Sequence, residues 1–192
     1  MFNKQLIVID IETSGPNLDY DIIQFGAVKL DKDFNIIEIF ERLVKPTTDL
    51  WDEHSFKVHN ISKEKCTNEG ISIEDCVSQF ERFVGMTRNF SLSSWGIFDI
   101  NFLTTVYKRL NRKFIFSYRT YDISSIARFI RWTKNINIHK SIGLEDSAKS
   151  FGLDVDSNCT HNALYDAELT ARTLRACYSL IKDGGINENS QV

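Results

Sequence analysis

Two carboxylates, Asp10 and Glu12, follow directly on the apolar run Leu6, Ile7, Val8 and Ile9 in the segment LIVIDIETSG. In an extended strand alternate side chains share a face, so the two acids project together while Ile9 and Ile11 point the other way. Adjacent anions repel one another unless a cation stands between them, and hard divalent ions such as Mg²⁺ and Mn²⁺ favour carboxylate oxygens. A strand end running into solvent produces the same local pattern, so the pair acquires meaning only from company elsewhere in the chain.

Asp99 and Asp166 supply that company. Phe102, Leu103, Val106 and Leu110 follow Asp99 at helical spacing, which places this carboxylate at the head of an apolar stripe, where it serves either as a helix N-cap or as a ligand. Asp166 shares the inward stripe of the last helix with Leu169, Thr170, Thr173, Cys177, Leu180 and Ile181. The helical pattern already runs through the preceding residues NALY, which argues against a cap, and a buried carboxylate needs a cation, several donors or an Arg. Four carboxylates from three segments form a pattern expected of two-metal phosphodiester hydrolysis. His161, five residues before Asp166, belongs to the loop entering that helix, where an imidazole can swing over the site and take a proton from metal-bound water. A polar surface role is the alternative for this histidine.

DIETSG, SWGIFD and HNALYDA together resemble the three motifs of the DEDDh 3′→5′ exonucleases, the group that includes the proofreading subunit of bacterial DNA polymerase III, RNase T and the ERI-like RNA exonucleases. The motifs stand in the same order, and the similarity runs from about residue 5 to 182. The resemblance implies an α/β, RNase H-like exonuclease fold with a mixed sheet flanked by helices. It also implies ligation of two divalent ions, Mg²⁺ or Mn²⁺, by Asp10, Glu12, Asp99 and Asp166, with His161 as general base. A sister group carries Tyr four residues before the last Asp; that position is Asn162 here, with Tyr165 adjacent to the Asp, so the His form is the better match. VHNIS is similar to a loop of these enzymes that places His59 and Asn60 near the terminal nucleotide, with Asn60 standing where Gly is usual. DIETSG is nearer the proofreading type and SWGIFD nearer the ERI-like type, so the substrate sugar stays open between DNA and RNA. Thr13, Ser14, Trp95 and Phe98 flank the ligands and are suited to holding a base or sugar, core packing being the alternative for the two aromatics, above all for Phe98.

These residues need elements to carry them. The apolar alternation predicts strands over residues 5–10, Ile22–Leu30 and Phe34–Val44, the last two joined as a hairpin around DKD. KPTTDLWDEHSFKVHNIS has no sustained period and reads as a long loop. Ile73, Val77, Phe80 and Val84 mark a helix; a strand follows at Phe90–Ser93, a helix over Asp99–Leu110, a strand near Ser117–Tyr121 and a helix through SSIARFIRWT. Two further helices are predicted, at Leu144–Phe151 and from Asn162 to Lys182, before a loose tail at 183–192. One domain over 1–182 accounts for the whole pattern.

Composition bounds the function. Hydrophobic residues make up 42% and charged residues 26%, with 14 Phe available for a core, which excludes a disordered or fibrous chain. No window is apolar enough to span a bilayer and no leader pattern opens the chain, so a soluble cytoplasmic protein without membrane attachment is expected. Cys66, Cys76, Cys159 and Cys177 are scattered singly and are expected as free thiols; His54, His59, Cys66 and Cys76 have no compact zinc-site spacing. A net charge of −3 argues against a broad grip on duplex nucleic acid but leaves room for a narrow site holding the 3′ end of a single strand through metal ions. YKRLNRKF and RFIRWTKNINIHK mix cations with aromatics, as either phosphate-steering patches or solvated helix faces. Homodimerisation or docking on a polymerase or RNA-processing partner is not written in one sequence.

Two other classes share some of these features. Aspartyl-phosphate-type phosphatases also open on a strand ending in Asp-x-acid, although their second acid is normally Asp. A nucleic-acid-binding module that keeps the fold without catalysis is the other, and the presence of all four acids and the histidine speaks against it.

Overall fold

The computed structural model describes residues 5–85, 90–136 and 143–183. Three strands come first, β1 (Gln5–Thr13), β2 (Ile22–Leu30) and β3 (Ile36–Leu43), followed by helices α1 (Glu53–His59), α2 (Lys63–Glu69) and α3 (Ile73–Val84). Strands then alternate with helices: β4 (Phe90–Ser94), α4 (Phe98–Arg109), β5 (Tyr121–Asp122), α5 (Ile123–Thr133), α6 (Leu144–Ser150) and α7 (Ala163–Asp183). The sheet order is β3-β2-β1-β4-β5. β1 is antiparallel to β2 and parallel to β4, so the sheet is mixed, as the pattern of strands predicts.

The pleat of β1 divides the core. Ile7, Ile9 and Ile11 face one side, where Phe25, Phe40, Val77, Phe80, Phe102 and Leu103 pack under α3 and α4. Leu6 and Val8 face the other, against Val28, Leu30, Ile123, Ala167, Ala171 and Leu174 of β2, α5 and α7. Helices therefore cover both faces, and Asp10 and Glu12 continue the even-numbered, α7-facing row beyond Val8.

Two stretches differ from expectation. The segment read as a long loop contains α1 and α2, each seven residues long. Two turns are too short to display a hydrophobic period; the helices depend on their caps, with Asp52 accepting the Ser55 N–H and Ser62 accepting the Lys65 N–H. The strand expected near Ser117–Tyr121 shrinks to Tyr121–Asp122, because Asp122 immediately caps α5 through the Ser124 and Ser125 N–H groups. Ile181, predicted on the inward stripe of α7, is 46% exposed. The predicted tail and the last residues of RFIRWTKNINIHK, 137–140, lie outside the described residues.

Candidate active site

β1 outruns its parallel neighbour. Its ladder with β4 ends at the pair Val8↔Ser93, while the strand itself continues to Thr13. The Ile11 N–H, beyond that ladder, donates to Asp99 Oδ1 at 3.1 Å. Asp99 lies in the first turn of α4, and no side chain caps that helix, so Asp99 is not a cap but a bridge from α4 to the end of β1. It is buried, at 5% exposure.

α7 brings the fourth acid. Gly26 is the cross-strand partner of Asp10, and a Cβ on it would stand 2.2 Å from the Ala163 carbonyl carbon, so the helix start rests directly on the bare backbone of β2. One turn further on, Asp166 is buried at 8% exposure. Asn162 caps the helix by accepting the Tyr165 N–H at 3.0 Å, which frees Asp166 from that task. His161 adopts φ 60°, a left-handed conformation that turns its N–H onto Asp166 Oδ2 at 3.0 Å. The other oxygen, Asp166 Oδ1, is buried with no hydrogen-bond partner. The ion pairs among the described residues do not include Asp166.

The four carboxylates perturb one another. Burial raises the Asp10 pKa well above the usual carboxylate range, reinforced by Asp99, Glu12 and Asp166. Burial, then Asp166 and Asp99, push Glu12 up to about 8. Asp99 is raised to about 7 by burial and by Asp166, against the Ile11 hydrogen bond, which lowers it. Burial also raises Asp166, while the His161 N–H and imidazole pull it down. Ligand atoms of Glu12, His161 and Asp166 all lie within 4.8 Å of one another. A crowd of oxygens that resist ionising together, one of them buried and unpartnered, matches the needs of hard divalent cations.

The flanking residues divide. The Thr13 hydroxyl donates to the Gly15 carbonyl and Ser14 Oγ accepts the Asp21 N–H; both side chains are buried, turned into their own loop instead of being displayed beside the acids. His59 is buried, its Nδ1 accepting the Ile61 N–H, and its pKa is lowered by burial and by the nearby His161. Asn60 takes φ 54° at the end of α1, so the residue found where Gly is usual keeps a left-handed backbone, which Asn tolerates. His59, Asn60, Lys65, Thr160, His161 and Tyr165 border a groove of about 630 Å³. Trp95 is half-buried against the clusters formed by α5 and α7. Phe98, in contrast to the core position weighed for it, is 43% exposed with its ring 4.7 Å from Phe102. Tyr165 is not free to replace His161, because its hydroxyl accepts the Asp156 N–H at 2.7 Å.

The cationic stretch at 107–114 is largely structural: Arg109 donates to the Leu18 and Tyr20 carbonyls, and Arg112 bonds Ser78 and lies 3.8 Å from Glu81. On α5, by contrast, Phe129 and Trp132 are 57% and 67% exposed. The four cysteines are free thiols; Cys66 and Cys76 are buried in separate apolar clusters, away from any shared site with His54. No helix among the described residues is long and apolar enough to cross a membrane.

Sequence reasoning passed over Gly26, Gln24, Glu41 and Asp21. A glycine inside an apolar strand is a signal of close backbone approach, and Gly26 is such a case. Asp21 carried no comparable signal, yet its carboxylate accepts the backbone N–H and hydroxyl of both Thr47 and Thr48 and ties two loops beside the site.

A mixed sheet with helices on both faces and four acids gathered at one end of its central strand defines an exonuclease domain, and the chain belongs to the exonuclease family (RNase_T), matching it over residues 7–174. Over 187 residues it is 30% identical to the PolC-type DNA polymerase III of Staphylococcus haemolyticus; the match takes in 97% of this chain but only 12% of that protein's length. Among solved structures, the zinc-bound E. coli ExoI–ssDNA complex superposes with a TM-score of 0.81 at 19% identity, covering 92% of this chain and 41% of that one. The nuclease domain of 3′hExo, a DEDDh family member bound to rAMP, gives 0.75 at 18% identity over 95% of this chain and 94% of that one. The RNase H-like exonuclease fold implied by the three motifs is thus the fold of this chain, and membership of this family sets the phosphatase reading aside.

Proposed function

We propose that the chain is a metal-dependent 3′→5′ exonuclease that hydrolyses single-stranded DNA or RNA from its 3′ end, releasing nucleoside 5′-monophosphates. The observation that carries this reading is the convergence of Asp10, Glu12, Asp99 and Asp166, whose pKa values are all raised, around the unpartnered Asp166 Oδ1. Two divalent ions, Mg²⁺ or Mn²⁺, held by these four residues would supply Lewis-acid stabilisation of the attacking and leaving oxygens. His161 is the general base: its exposed ring stands within reach of Glu12 and Asp166, and the N–H bond to Asp166 fixes the backbone from which the ring swings. Asp99 aligns the end of β1 through Ile11 and so fixes the orientation of Asp10 and Glu12. His59, Asn60 and Phe98 receive the terminal nucleotide, whereas Thr13 and Ser14 shape the loop beside it. A single-stranded substrate agrees with the ssDNA in the ExoI complex, and the rAMP in the 3′hExo complex keeps a ribose substrate equally in view. A cytoplasmic setting belongs to the same proposal.

The test is a gel assay of wild type and Asp166→Ala on 5′-labelled single-stranded DNA and RNA of one sequence, with Mg²⁺, Mn²⁺ or EDTA. A metal-dependent ladder shortening from the 3′ end, absent in the variant, is expected, and the faster substrate identifies the sugar. No cleavage of either strand with either metal would overturn the nuclease reading for these substrates and favour a non-catalytic binding module.

A further inference from the structure

The start of α7 is held by side chains of β2 and β3 together with its own cap residue. Gln24 stands opposite Glu12 in the β1–β2 register, and directly opposed residues share a sheet face. Its amide oxygen accepts the Ala163 N–H at 3.1 Å, one of the first-turn donors that a helix cannot satisfy internally. Its amide nitrogen donates to Glu41 Oε1 at 3.0 Å, and the same Glu41 oxygen accepts from Asn162 Nδ2 at 3.2 Å. Asn162 Oδ1 in turn caps α7 at Tyr165. Gln24 is buried at 8% exposure, so water does not readily replace its bond to Ala163, whereas Glu41 and its bond to Asn162 lie at the exposed rim.

We infer that Gln24, supported by Glu41, is a positioning residue that sets Glu12 on β1 in register with His161 and Asp166 on α7; the inference rests on the exonuclease reading above. The chemistry demands an amide. Only a group that accepts and donates at once can satisfy Ala163 and Glu41 together, and a carboxylate in its place would add an anion beside both Glu12 and Glu41. Gly26 makes the arrangement possible by letting the helix backbone sit against β2 within reach of the amide. Gln24 also borders the groove lined by His59, Asn60 and His161, and in this inference it acts through the placement of Glu12, His161 and Asp166.

The test uses the full chain with Gln24→Leu, Glu41→Ala, Glu41→Gln and the Gln24→Leu/Glu41→Ala double variant. Gln24→Leu is expected to lower kcat about 10–100-fold, the range for partners that orient metal ligands, while KM is unchanged. Glu41→Ala moves in the same direction, the double variant is no worse than the poorer single, and Glu41→Gln, which still accepts both bonds, restores wild-type turnover. Amide hydrogen exchange supplies a readout independent of turnover: Ala163 loses protection in Gln24→Leu while Ile9 and Ala27 of the β1–β2 ladder keep theirs. Retained kcat, a loss confined to KM, or unchanged Ala163 exchange in Gln24→Leu would each overturn the inference. An inactive wild type would overturn the nuclease reading and the catalytic half of this one, and the exchange measurement still decides whether Gln24 holds the helix.

Discussion

His161 combines two demands in one residue. Its backbone needs φ near 60° to aim the N–H at Asp166, and its ring needs a nitrogen that serves as the general base of the proposed reaction. His161→Asn separates them, because Asn tolerates the left-handed backbone but is no base. The variant is expected to keep its melting temperature and to lose roughly 10²–10⁴-fold in kcat, as measured by single-turnover cleavage of an oligonucleotide. The carboxylates make a second prediction, about stability. Glu12, pushed up to about 8, and Asp99, raised to about 7, hold protons in the folded state at pH values where the unfolded chain, with carboxyl groups near ~4, has released them. The folded state then binds more protons than the unfolded one, so stability is greatest below the unfolded values and falls as pH rises through the folded ones. Melting temperature in EDTA is expected to decline between about pH 5 and about pH 8, and added Mn²⁺ to raise it more at the upper end, where the ionised carboxylates favour the cation.

At the scale of elements, the site is a junction of the end of β1 with the starts of α4 and α7. A register irregularity between Glu12 and Thr13 marks where β1 leaves its regular pairing with β2, and such bulges re-aim side chains beside active sites. Gly26→Ala tests the closest contact at this junction. Its Cβ would meet backbone, not a yielding side chain, so α7 must lift from the sheet. A loss of about 1–3 kcal/mol in denaturant melts is expected, together with a fall in activity as Asp166 moves away from Asp10. Asp21 tests the neighbouring loops. Asp21→Ala leaves the Thr47 and Thr48 donors without their shared acceptor and removes the anion 3.9 Å from Arg109, so destabilisation of about 2–4 kcal/mol is expected in the same melts.

At the scale of the whole molecule, several of the described cations serve the fold. Arg109 and Arg112 stitch loops and helices together, Lys29 reaches Glu38 and the Phe83 carbonyl, and the net charge is −3. Under the proposed mechanism, divalent cations at the acid cluster would supply positive charge locally for a phosphodiester. A weak salt dependence follows: log KM for a single strand plotted against log[KCl] at constant metal is expected to have a slope below about 2, corresponding to about three or fewer phosphate contacts. A steeper slope would point to an extended basic track, with α5 and its exposed Phe129 and Trp132 as the surface to examine.

Strands β1, β2 and β3, helices α3, α4, α5 and α7, and the four carboxylates with His161 were legible in the chain because each is written in local periodicity or in an ordered motif. β2 is predicted to the residue, since turn residues flank its apolar run on both sides. The short helices α1 and α2 and the two-residue β5 were not legible, because caps and neighbours decide them and not a repeating pattern. Sequence by itself determined which acids lie on which face of β1, α4 and α7. Only the tertiary structure decided that Ser14 and Thr13 turn inward, that Phe98 is exposed, and that Gly26, Gln24 and Glu41 seat α7 against β2. The reason is physical: periodicity specifies a face within one element, whereas the distance between two elements is set by residues whose partners lie far away in the chain, as Gln24 and Ala163 do.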